Sequence, residues 1–349
     1  MPARRPPLLF PRRNHGCRVE TDLALWGYPA LTLENELLRV TVLAGKGADL
    51  VEFLYKPLDV DFLWRNANPI RAERAEAPPT DALMSFADRY EGGWQELFPF
   101  GSRVQGKVRN TEMYFHGEVW ALPWKVEVEE DDPRCVRVRL SVRTRKTPLF
   151  LERRMTLRSN SPVLELDEVA WNLGPRPQGV MWGHHPAFGP PFLSPDCEIC
   201  APAKTVSVEM KERQPFPRGR YLGRRHDFSR MLRPGAGIER MLYLDELDEG
   251  WYALVNRKRK VGFGMRWDAA RFPVVWIWQE SGKLPQPPHF NASYAMALEP
   301  FSHLPGAYDR GEKLLTIPAG GRIEARFLAC AIPGGKPVKS LDARGRART

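Results

Sequence analysis

Alternating apolar and polar residues recur along this chain and constrain its fold more than any other feature. The alternation is clearest in five segments, residues 37–43, 124–128, 136–142, 163–169 and 205–208. Successive side chains of a β-strand point to opposite faces, so a period of two places one set in a core and the other in water. The pattern predicts antiparallel strands.

Further strands are predicted where apolar runs lie between clusters of Gly, Pro, Asn and Asp, which favour turns. These runs are residues 251–256, 261–267, 274–278, 294–299 and 322–331. No segment shows an apolar stripe over three helical turns, and 33 prolines in 349 residues would interrupt most helices. The sequence therefore predicts an all-β chain folded as a large antiparallel β-sandwich, with few or no long helices.

The domain organisation follows from where apolar residues are scarce. A chain of 349 residues with 43% hydrophobic residues can build one large core, and no Ser/Gly linker divides it. We expect a single domain over residues 16–333. Residues 1–15 are rich in Pro and Arg, and residues 334–349 are polar and basic. Both ends are predicted as flexible tails, because little apolar burial would offset their ordering entropy.

Cysteine usage and the N-terminus predict a cytoplasmic protein. Five cysteines are an odd number in a long chain, which favours reduced thiols over a disulfide framework. The apolar run at residues 8–10 is too short for a signal-peptide core. No stretch approaches the roughly 18 apolar residues of a membrane span, so no membrane association is expected.

The charge of the chain and its one cysteine pair do not indicate a nucleic-acid or metal site. The net charge is +10, but Arg is spread over the whole chain with acidic residues interspersed. This distribution is typical of solvated faces and predicts no nucleic-acid partner, while an anionic sugar stays an alternative. Cys197 and Cys200 supply two of the four ligands that a structural zinc site needs, so no metal is predicted.

The chain lacks the motifs of several large enzyme classes. It has no GxGxxG, no GxxxxGK[ST], no GxSxG and no HExxH. Dinucleotide enzymes, P-loop phosphotransferases, α/β-hydrolases and zincins are therefore disfavoured. Two classes of protein stay open. One is an enzyme that needs no cofactor and works with side chains alone, and the other is a binding module.

Four residues are candidates for proton chemistry. His184 and His185 lie together between Gly and Pro in WGHHPAFG at residues 182–189, which predicts a strand end or turn where an imidazole is suited to act as a general acid. His116 lies in FHGEVW, and Glu299 concludes an apolar strand, where desolvation would raise its pKa and suit it as a general base. The alternatives are turn histidines that cap backbone groups, a loop histidine and a glutamate in a salt bridge.

Aromatic residues concentrate near the same segments. Trp182, Trp276, Trp278 and Tyr294 accompany them, with Trp94 upstream. Pyranose rings stack on such side chains, so at least one of them is expected to line a sugar site. The alternative is that the tryptophans fill the core of the sandwich.

Taken together, these segments resemble the galactose mutarotase-like (aldose 1-epimerase) superfamily. LENELLRVTVLAGKGADLVEF at residues 33–53 resembles its opening hairpin, and GGWQELFP, FHGEVW, WGHHPAFG and ALEPF follow in that family's order. The resemblance spans residues 31–332. It implies a mutarotase that interconverts the α and β anomers of an aldose, with Glu299 as general base, His185 as general acid and His116 as a second active-site histidine.

The resemblance also implies a set of substrate-binding residues. Asp245, in YLDELDEG, is similar to an aspartate that binds sugar hydroxyls, and Arg89 and Arg103 are candidates for the family's substrate-binding arginine. The predicted substrate-binding set is His184, Trp182, Asp245, Trp278, Arg89 and Arg103.

The predicted partner is a monosaccharide, bound by a monomer or homodimer without a cofactor. Two alternatives stay open. One is a non-catalytic carbohydrate-binding or sensing protein of the same fold. The other is a hexose-phosphate mutarotase, which the positive charge would suit.

Overall fold

The computed structural model describes residues 13, 15–66, 86–87, 89–102, 104, 107–108 and 110–349. Within these ranges nearly all of the regular secondary structure is strand, with short 3-10 helices at Lys56–Leu58 and Val119–Ala121. No helix in the described ranges has the length and apolarity to span a membrane. Residues 1–12 and 14, most of the predicted N-terminal tail, lie outside the described residues.

The strands are, in chain order, β1 Arg18–Leu25, β2 Tyr28–Glu34, β3 Leu38–Leu43, β4 Asp49–Tyr55, β5 Val60–Asp61, β6 Trp94–Leu97, β7 Lys125–Asp132, β8 Cys135–Arg143, β9 Leu149–Arg158, β10 Val163–Asn172, β11 Gln178–Val180, β12 Gly183–Phe188, β13 Cys197–Cys200, β14 Ala203–Val208, β15 Arg213–Pro215, β16 Arg218–Tyr221, β17 Arg224–Asp227, β18 Ile238–Leu247, β19 Trp251–Asn256, β20 Val261–Arg266, β21 Val274–Ser281, β22 Tyr294–Phe301, β23 Leu315–Ile317, β24 Arg322–Pro333, β25 Ser340–Leu341 and β26 Ala347–Arg348.

Two large antiparallel sheets form the sandwich. The first has twelve strands in the order β1-β2-β3-β4-β6-β12-β22-β21-β18-β14-β15, with β5 paired to β4. The second has eight strands in the order β13-β19-β20-β24-β10-β9-β8-β7. Three two-stranded sheets, β11-β23, β16-β17 and β25-β26, complete the pairing of the described strands. The predicted all-β sandwich is confirmed.

The core lies between the two sheets, where period-two alternation places the apolar side chains. On β10, Leu164 and Leu166 are fully buried while Glu165 between them is partly exposed. Phe53 of β4 meets Phe263 of β20 edge to face, with ring centroids 5.3 Å apart, which joins the first sheet to the second. Aromatic pairs of this geometry stabilise a core beyond their buried area.

The central strands of the first sheet are buried on both faces. Every residue of β12 and β22 is buried, because loops cover the outer face of this sheet as well as the second sheet covering its inner face. A strand that is buried on both faces has no exposed face to carry polar residues at every second position, which explains why neither strand shows a clear alternation. The histidine pair, expected at a strand end or turn, lies inside β12 instead.

The C-terminal segment differs from its prediction as a flexible tail. β25 pairs with β26, and Val338 and Leu341 are buried in a cluster with Trp251 and Cys330. Two apolar side chains in an otherwise polar segment are sufficient to dock it on the outer face of the second sheet.

Cys197 and Cys200 lie on β13 and face opposite sides of the second sheet. Cys197 is part of the core between the sheets, whereas Cys200 packs with the C-terminal cluster around Val338. Burial raises the pKa of the Cys197 thiol to about 11, so it is protonated at neutral pH. This placement gives the two sulfur atoms no common ligand position.

Candidate active site

The register of the first sheet makes neighbours of residues that are distant in sequence. β12 pairs with β22 so that Gly183 is opposite Phe301 and Ala187 opposite Ala297, which sets His185 opposite Glu299. Residues directly opposite each other in an antiparallel pair project from the same face. Accordingly, Nε2 of His185 lies 3.5 Å from Oε1 of Glu299.

His116 reaches this pair from the segment that joins β6 to β7. Its backbone is left-handed, with φ of 64°, and Gly117 follows with φ of 82°. A Cβ at Gly117 would lie 2.3 Å from the carbonyl oxygen of Phe98, so only glycine fits this turn. A left-handed non-glycine residue carries strain that the surroundings must hold. The turn stacks the His116 ring on Phe115 and brings its centroid to 5.5 Å from that of His185.

The three side chains line one cavity of about 400 Å³, a volume within the range of small-molecule sites. Most of the lining is aromatic or apolar, with few polar groups. Its other described aromatic residues are Phe86, Tyr90, Phe115, Tyr243, Trp276 and Trp278, with a further histidine, His289.

Burial determines the charge state of the three groups. It raises the pKa of Glu299 well above its ordinary value and lowers the pKa of His185 to about 4. Burial and the neighbouring His185 hold the pKa of His116 well below the usual range. Burial therefore favours the neutral form of both partners, in which the His185–Glu299 pair holds one proton, on Glu299. The Nδ1 atoms of both His116 and His185 are buried and make no hydrogen bond within the described residues.

Two tryptophans form the wall beside Glu299. Nε1 of Trp276 donates to the backbone oxygen of His303, and Nε1 of Trp278 donates to Oε1 of Glu239 at 3.1 Å. Because the protein satisfies both indole N–H groups, the rings present apolar surface to the cavity. Glu239 lines the cavity as well, and burial raises its pKa.

The loop between β21 and β22 covers the cavity. Leu284, Gln286, Pro287, Pro288 and His289 line it from this loop. The His289 ring stacks on Trp64, with centroids 5.8 Å apart, and its Nδ1 is bonded to Ser293. Burial lowers the pKa of His289 to about 4, so this imidazole is neutral.

Two of the predicted substrate-binding residues face the core between the two sheets, away from the cavity. His184 and Trp182 are fully buried between the sheets. His184 Nε2 lies 3.1 Å from Glu168, and Nε1 of Trp182 donates to Glu96. Since neighbouring positions of a strand face opposite sides, His184 and His185 cannot share one site.

The groups around His184 form a buried ion network with Arg153 at its centre. Nε of Arg153 donates to Glu168 at 2.8 Å, Nη2 donates to Glu96, and Nη1 donates to the backbone oxygen of Ala48 at 3.0 Å. The donor atoms of Glu96, Glu168 and His184 lie close enough together for a metal ion. However, the guanidinium already occupies both carboxyl groups, so this donor set fits an ion network that ties the sheets together.

The other predicted substrate-binding residues divide as follows. Trp278 lines the cavity. Asp245 lies further along β18, where it accepts from Thr205 and pairs with Arg213 at 2.8 Å. Arg89 lines a separate, smaller cavity with Tyr114 and Glu118. Arg103 lies outside the described residues.

Sequence reasoning missed several lining residues, among them Tyr90, Glu239, Tyr243 and His289. A signal existed for two of them. Glu239 and Tyr243 are four positions apart in IERMLYLDEL, so on a strand they share a face with Met241. His289 lies in a Pro-rich loop, where sequence periodicity gives no orientation.

Comparison with known proteins agrees with the fold. A family model described as "Domain of unknown function (DUF4432)" matches residues 25–321. No curated protein matches the sequence. Among solved structures, a Klebsiella pneumoniae protein provisionally described as an aldose 1-epimerase has a TM-score of 0.73 at 15% identity, covering 91% of this chain and 84% of its own.

Two further structures have the same fold. A galactose mutarotase-like protein from Clostridium acetobutylicum has a TM-score of 0.64 at 13% identity, covering 91% of this chain and 99% of its own. One from Lactobacillus casei has a TM-score of 0.58 at 17% identity, covering 86% and 99%. The fold is therefore that of the galactose mutarotase-like proteins, as the sequence motifs predicted.

Proposed function

Because the chain belongs to the DUF4432 family, whose description states no activity, we propose its function from the site itself: it is an aldose 1-epimerase. The observation that carries this proposal is the approach of His185 Nε2 to Glu299 Oε1, 3.5 Å apart, in an aromatic cavity of about 400 Å³. The likeness in fold to galactose mutarotase-like proteins supports it.

Anomerisation needs one acid and one base that act on the same sugar. The anomeric hydroxyl loses a proton, the ring oxygen gains one, and the bond from the anomeric carbon to the ring oxygen breaks. Rotation of the aldehyde and closure on its other face reverse both transfers. The His185–Glu299 pair holds one proton, which is the number this cycle requires.

The sugar itself adjusts which partner carries the proton. Hydroxyl groups that donate to a carboxylate favour its charged form, so a bound aldose lowers the pKa of Glu299 and moves the proton to His185. Glu299 then removes the proton of the anomeric hydroxyl while Nε2 of the His185 imidazolium protonates the ring oxygen. In this proposal His116, neutral and stacked on Phe115, holds a sugar hydroxyl.

The charges of the cavity favour a neutral aldose over a phosphorylated one. Its described lining residues include two carboxyl side chains, Glu239 and Glu299, and no Arg or Lys. A bound phosphate group would need cationic partners, which this lining does not supply among its described residues. Among the described residues, many arginines form ion pairs away from the cavity, such as Arg154 with Glu129.

Polarimetry tests the proposal. Freshly dissolved α-glucose and α-galactose should mutarotate faster with the protein than without it, and glucose 6-phosphate should respond less. Glu299→Gln should abolish the acceleration, because an amide keeps the shape of the side chain but takes no proton. Glu52→Gln is the matched control, since Glu52 lies on the same sheet outside the cavity.

The outcome also separates the proposal from the binding-protein hypothesis. Binding of a neutral monosaccharide in calorimetry, without accelerated mutarotation at any pH between 5 and 9, would reject the epimerase. Wild-type rates in Glu299→Gln would reject the carboxyl group as the base.

A further inference from the structure

The row of residues across the first sheet continues past His185, on the side away from Glu299. β12 pairs with β6 so that His185 is opposite Gln95. β6 pairs with β4 at Leu50 and Trp94, which sets Asp49 opposite Gln95. Asp49, Gln95, His185 and Glu299 therefore project side by side from one face of four adjacent strands. We call these four residues the cross-strand row.

Asp49 fixes the orientation of the Gln95 side chain. Nζ of Lys46 donates to Oδ2 of Asp49 at 2.7 Å and to Oε1 of Glu91 at 2.9 Å, and all three side chains are buried, so Oδ2 of Asp49 is an acceptor. Nε2 of Gln95 donates to the same Oδ2 at 3.2 Å. A carboxylate only accepts hydrogen bonds, so the NH₂ group of Gln95 must face Asp49. The carbonyl oxygen of Gln95 consequently faces away from Asp49, along the row.

Two neighbouring residues of the row, Gln95 and His185, each carry a buried polar atom with complementary hydrogen-bonding capacity. Oε1 of Gln95 is a buried acceptor with no hydrogen-bond partner among the described residues, and Nδ1 of His185 is equally buried and equally unpaired. Gln95 is fully buried and His185 is 5% exposed. Buried polar atoms are nearly always paired, and a hydrogen bond from Nδ1–H of His185 to Oε1 of Gln95 would pair both of these.

We propose that Gln95 is the positioning residue of His185: its Oε1 accepts a hydrogen bond from Nδ1–H, and Lys46 and Asp49 hold the amide in that orientation. The catalytic consequence rests on the proposed epimerase function, whereas the hydrogen bond does not. The bond fixes the tautomer of neutral His185, with the proton on Nδ1. Nε2 then carries a lone pair directed at Glu299.

This tautomer restricts proton exchange to one end of the ring. Neutral His185 can only accept at Nε2, and the imidazolium that results donates from Nε2 to the ring oxygen. Nδ1–H stays bonded to Gln95 in both charge states. Without that acceptor, neutral His185 could carry its proton on Nε2, and it would then present a donor to Glu299 where the cycle needs an acceptor.

Nitrogen-15 NMR of histidine-labelled protein tests the hydrogen bond directly. The His185 signals are assigned from their loss in His185→Asn. We expect the Nδ1–H tautomer in the wild type. In Gln95→Met, which removes that acceptor at nearly constant size, we expect a mixture of tautomers or the Nε2–H form.

Kinetics supply the second readout. Gln95→Met should lower kcat for mutarotation about 10- to 100-fold, as part of a general acid–base contribution, with KM changed less than about threefold. Gln279→Met is the matched control. Gln279 is fully buried in the same sheet, but its side chain lies on the opposite face of that sheet and accepts a hydrogen bond from Arg240. It should leave both the tautomer and kcat unchanged.

The tautomer decides the proposal, whatever the protein's activity proves to be. The Nε2–H form in the wild type, or an unchanged Nδ1–H form in Gln95→Met, would overturn it. Should Gln95→Met fail to fold, Asp49→Asn replaces it, because an amide at residue 49 no longer forces the Gln95 orientation and mixed tautomers are expected. Absence of mutarotation in the wild type would reject the epimerase but leave the NMR result decisive for Gln95.

Discussion

His184 and His185 are consecutive residues with different environments. His185 faces the cavity next to Glu299, whereas His184 faces the second sheet and bonds Glu168. The same alternation separates Gln95, in the cross-strand row, from Glu96, in the ion network around Arg153. At the residue scale, the face that a strand position takes therefore decides whether its side chain lines the cavity or packs between the two sheets.

The raised pKa of Glu299 predicts a pH-dependent stability. The unfolded chain releases this proton near its ordinary pKa, while the folded protein retains it to much higher pH. The folded state thus binds more protons than the unfolded state above about pH 5, so stability falls as pH rises. Glu299→Gln has no such proton to lose. As pH rises over that window, the free energy of unfolding of the variant should therefore increase relative to that of the wild type by up to about 1.4 kcal/mol per pH unit.

Urea unfolding at pH 5.5 and pH 8.5 measures this difference. His185, whose pKa is lowered to about 4, destabilises the fold as pH falls from about 6.5 towards 4, but it is present in both proteins and largely cancels. A gain from Glu299→Gln that is equal at both pH values would contradict a desolvated carboxyl group.

At the scale of elements, β21 combines a wall of the cavity with the inner core. Trp276 and Trp278 face the cavity, while Val275 and Ile277, which alternate with them, face the second sheet. Trp278→Leu should therefore weaken sugar binding rather than chemistry. We expect KM to rise about tenfold with kcat little changed, since an aromatic face contributes on the order of 1 kcal/mol beyond its area. Trp171→Leu, on the second sheet away from the cavity, should change neither.

Two neighbouring residues of β9 give a prediction about stability, with activity expected to change little. Arg153 points inward to Glu96 and Glu168, and its neighbour Arg154 points outward to Glu129. Arg153→Met leaves two buried carboxyl groups without their cation and should cost about 3 to 5 kcal/mol in the free energy of unfolding. Arg154→Met removes a partly exposed pair and should cost about 1 kcal/mol or less.

Urea unfolding measures both costs, and mutarotation per folded molecule should stay within a few-fold in each variant. A loss of kcat in folded Arg153→Met comparable to that in Glu299→Gln would show that the ion network belongs to the reaction.

For the whole molecule, sequence patterns predicted the sandwich because a strand with one buried and one solvent-exposed face alternates apolar and polar residues. They located β10, β19 and β24 closely, but they did not show β9, whose inward Arg153 interrupts the apolar set, or the position of the histidines inside β12. Periodicity cannot assign a face to a strand that is buried on both sides. The motifs found Glu299, His185 and His116, whereas Glu239 and His289 needed the register and a loop conformation.

The C-terminal segment gives a prediction for the whole molecule that opposes the expectation from composition. Residues 334–349 are polar overall, yet Val338 and Leu341 are 5% and 1% exposed against Trp251 and Cys330. Deleting the segment after Pro333 returns those two side chains and their partners to water. Burying one such side chain contributes roughly 1.5 to 3 kcal/mol, partly offset by the ordering of the segment, so a loss of about 3 kcal/mol is expected.

Urea unfolding of the truncated and full-length chains measures this loss, with two full-length variants to separate burial from charge. Val338→Ser with Leu341→Ser should reproduce most of it, because the apolar contacts go while the length is kept. Lys336→Ser with Lys339→Ser should not, because both lysines are exposed and only charge changes.

Equal midpoints for truncated and full-length protein would mean that the hairpin of β25 and β26 docks without stabilising the sandwich. Mutarotation should persist in the folded truncated chain, since this cluster lies on the second sheet and the cavity on the first.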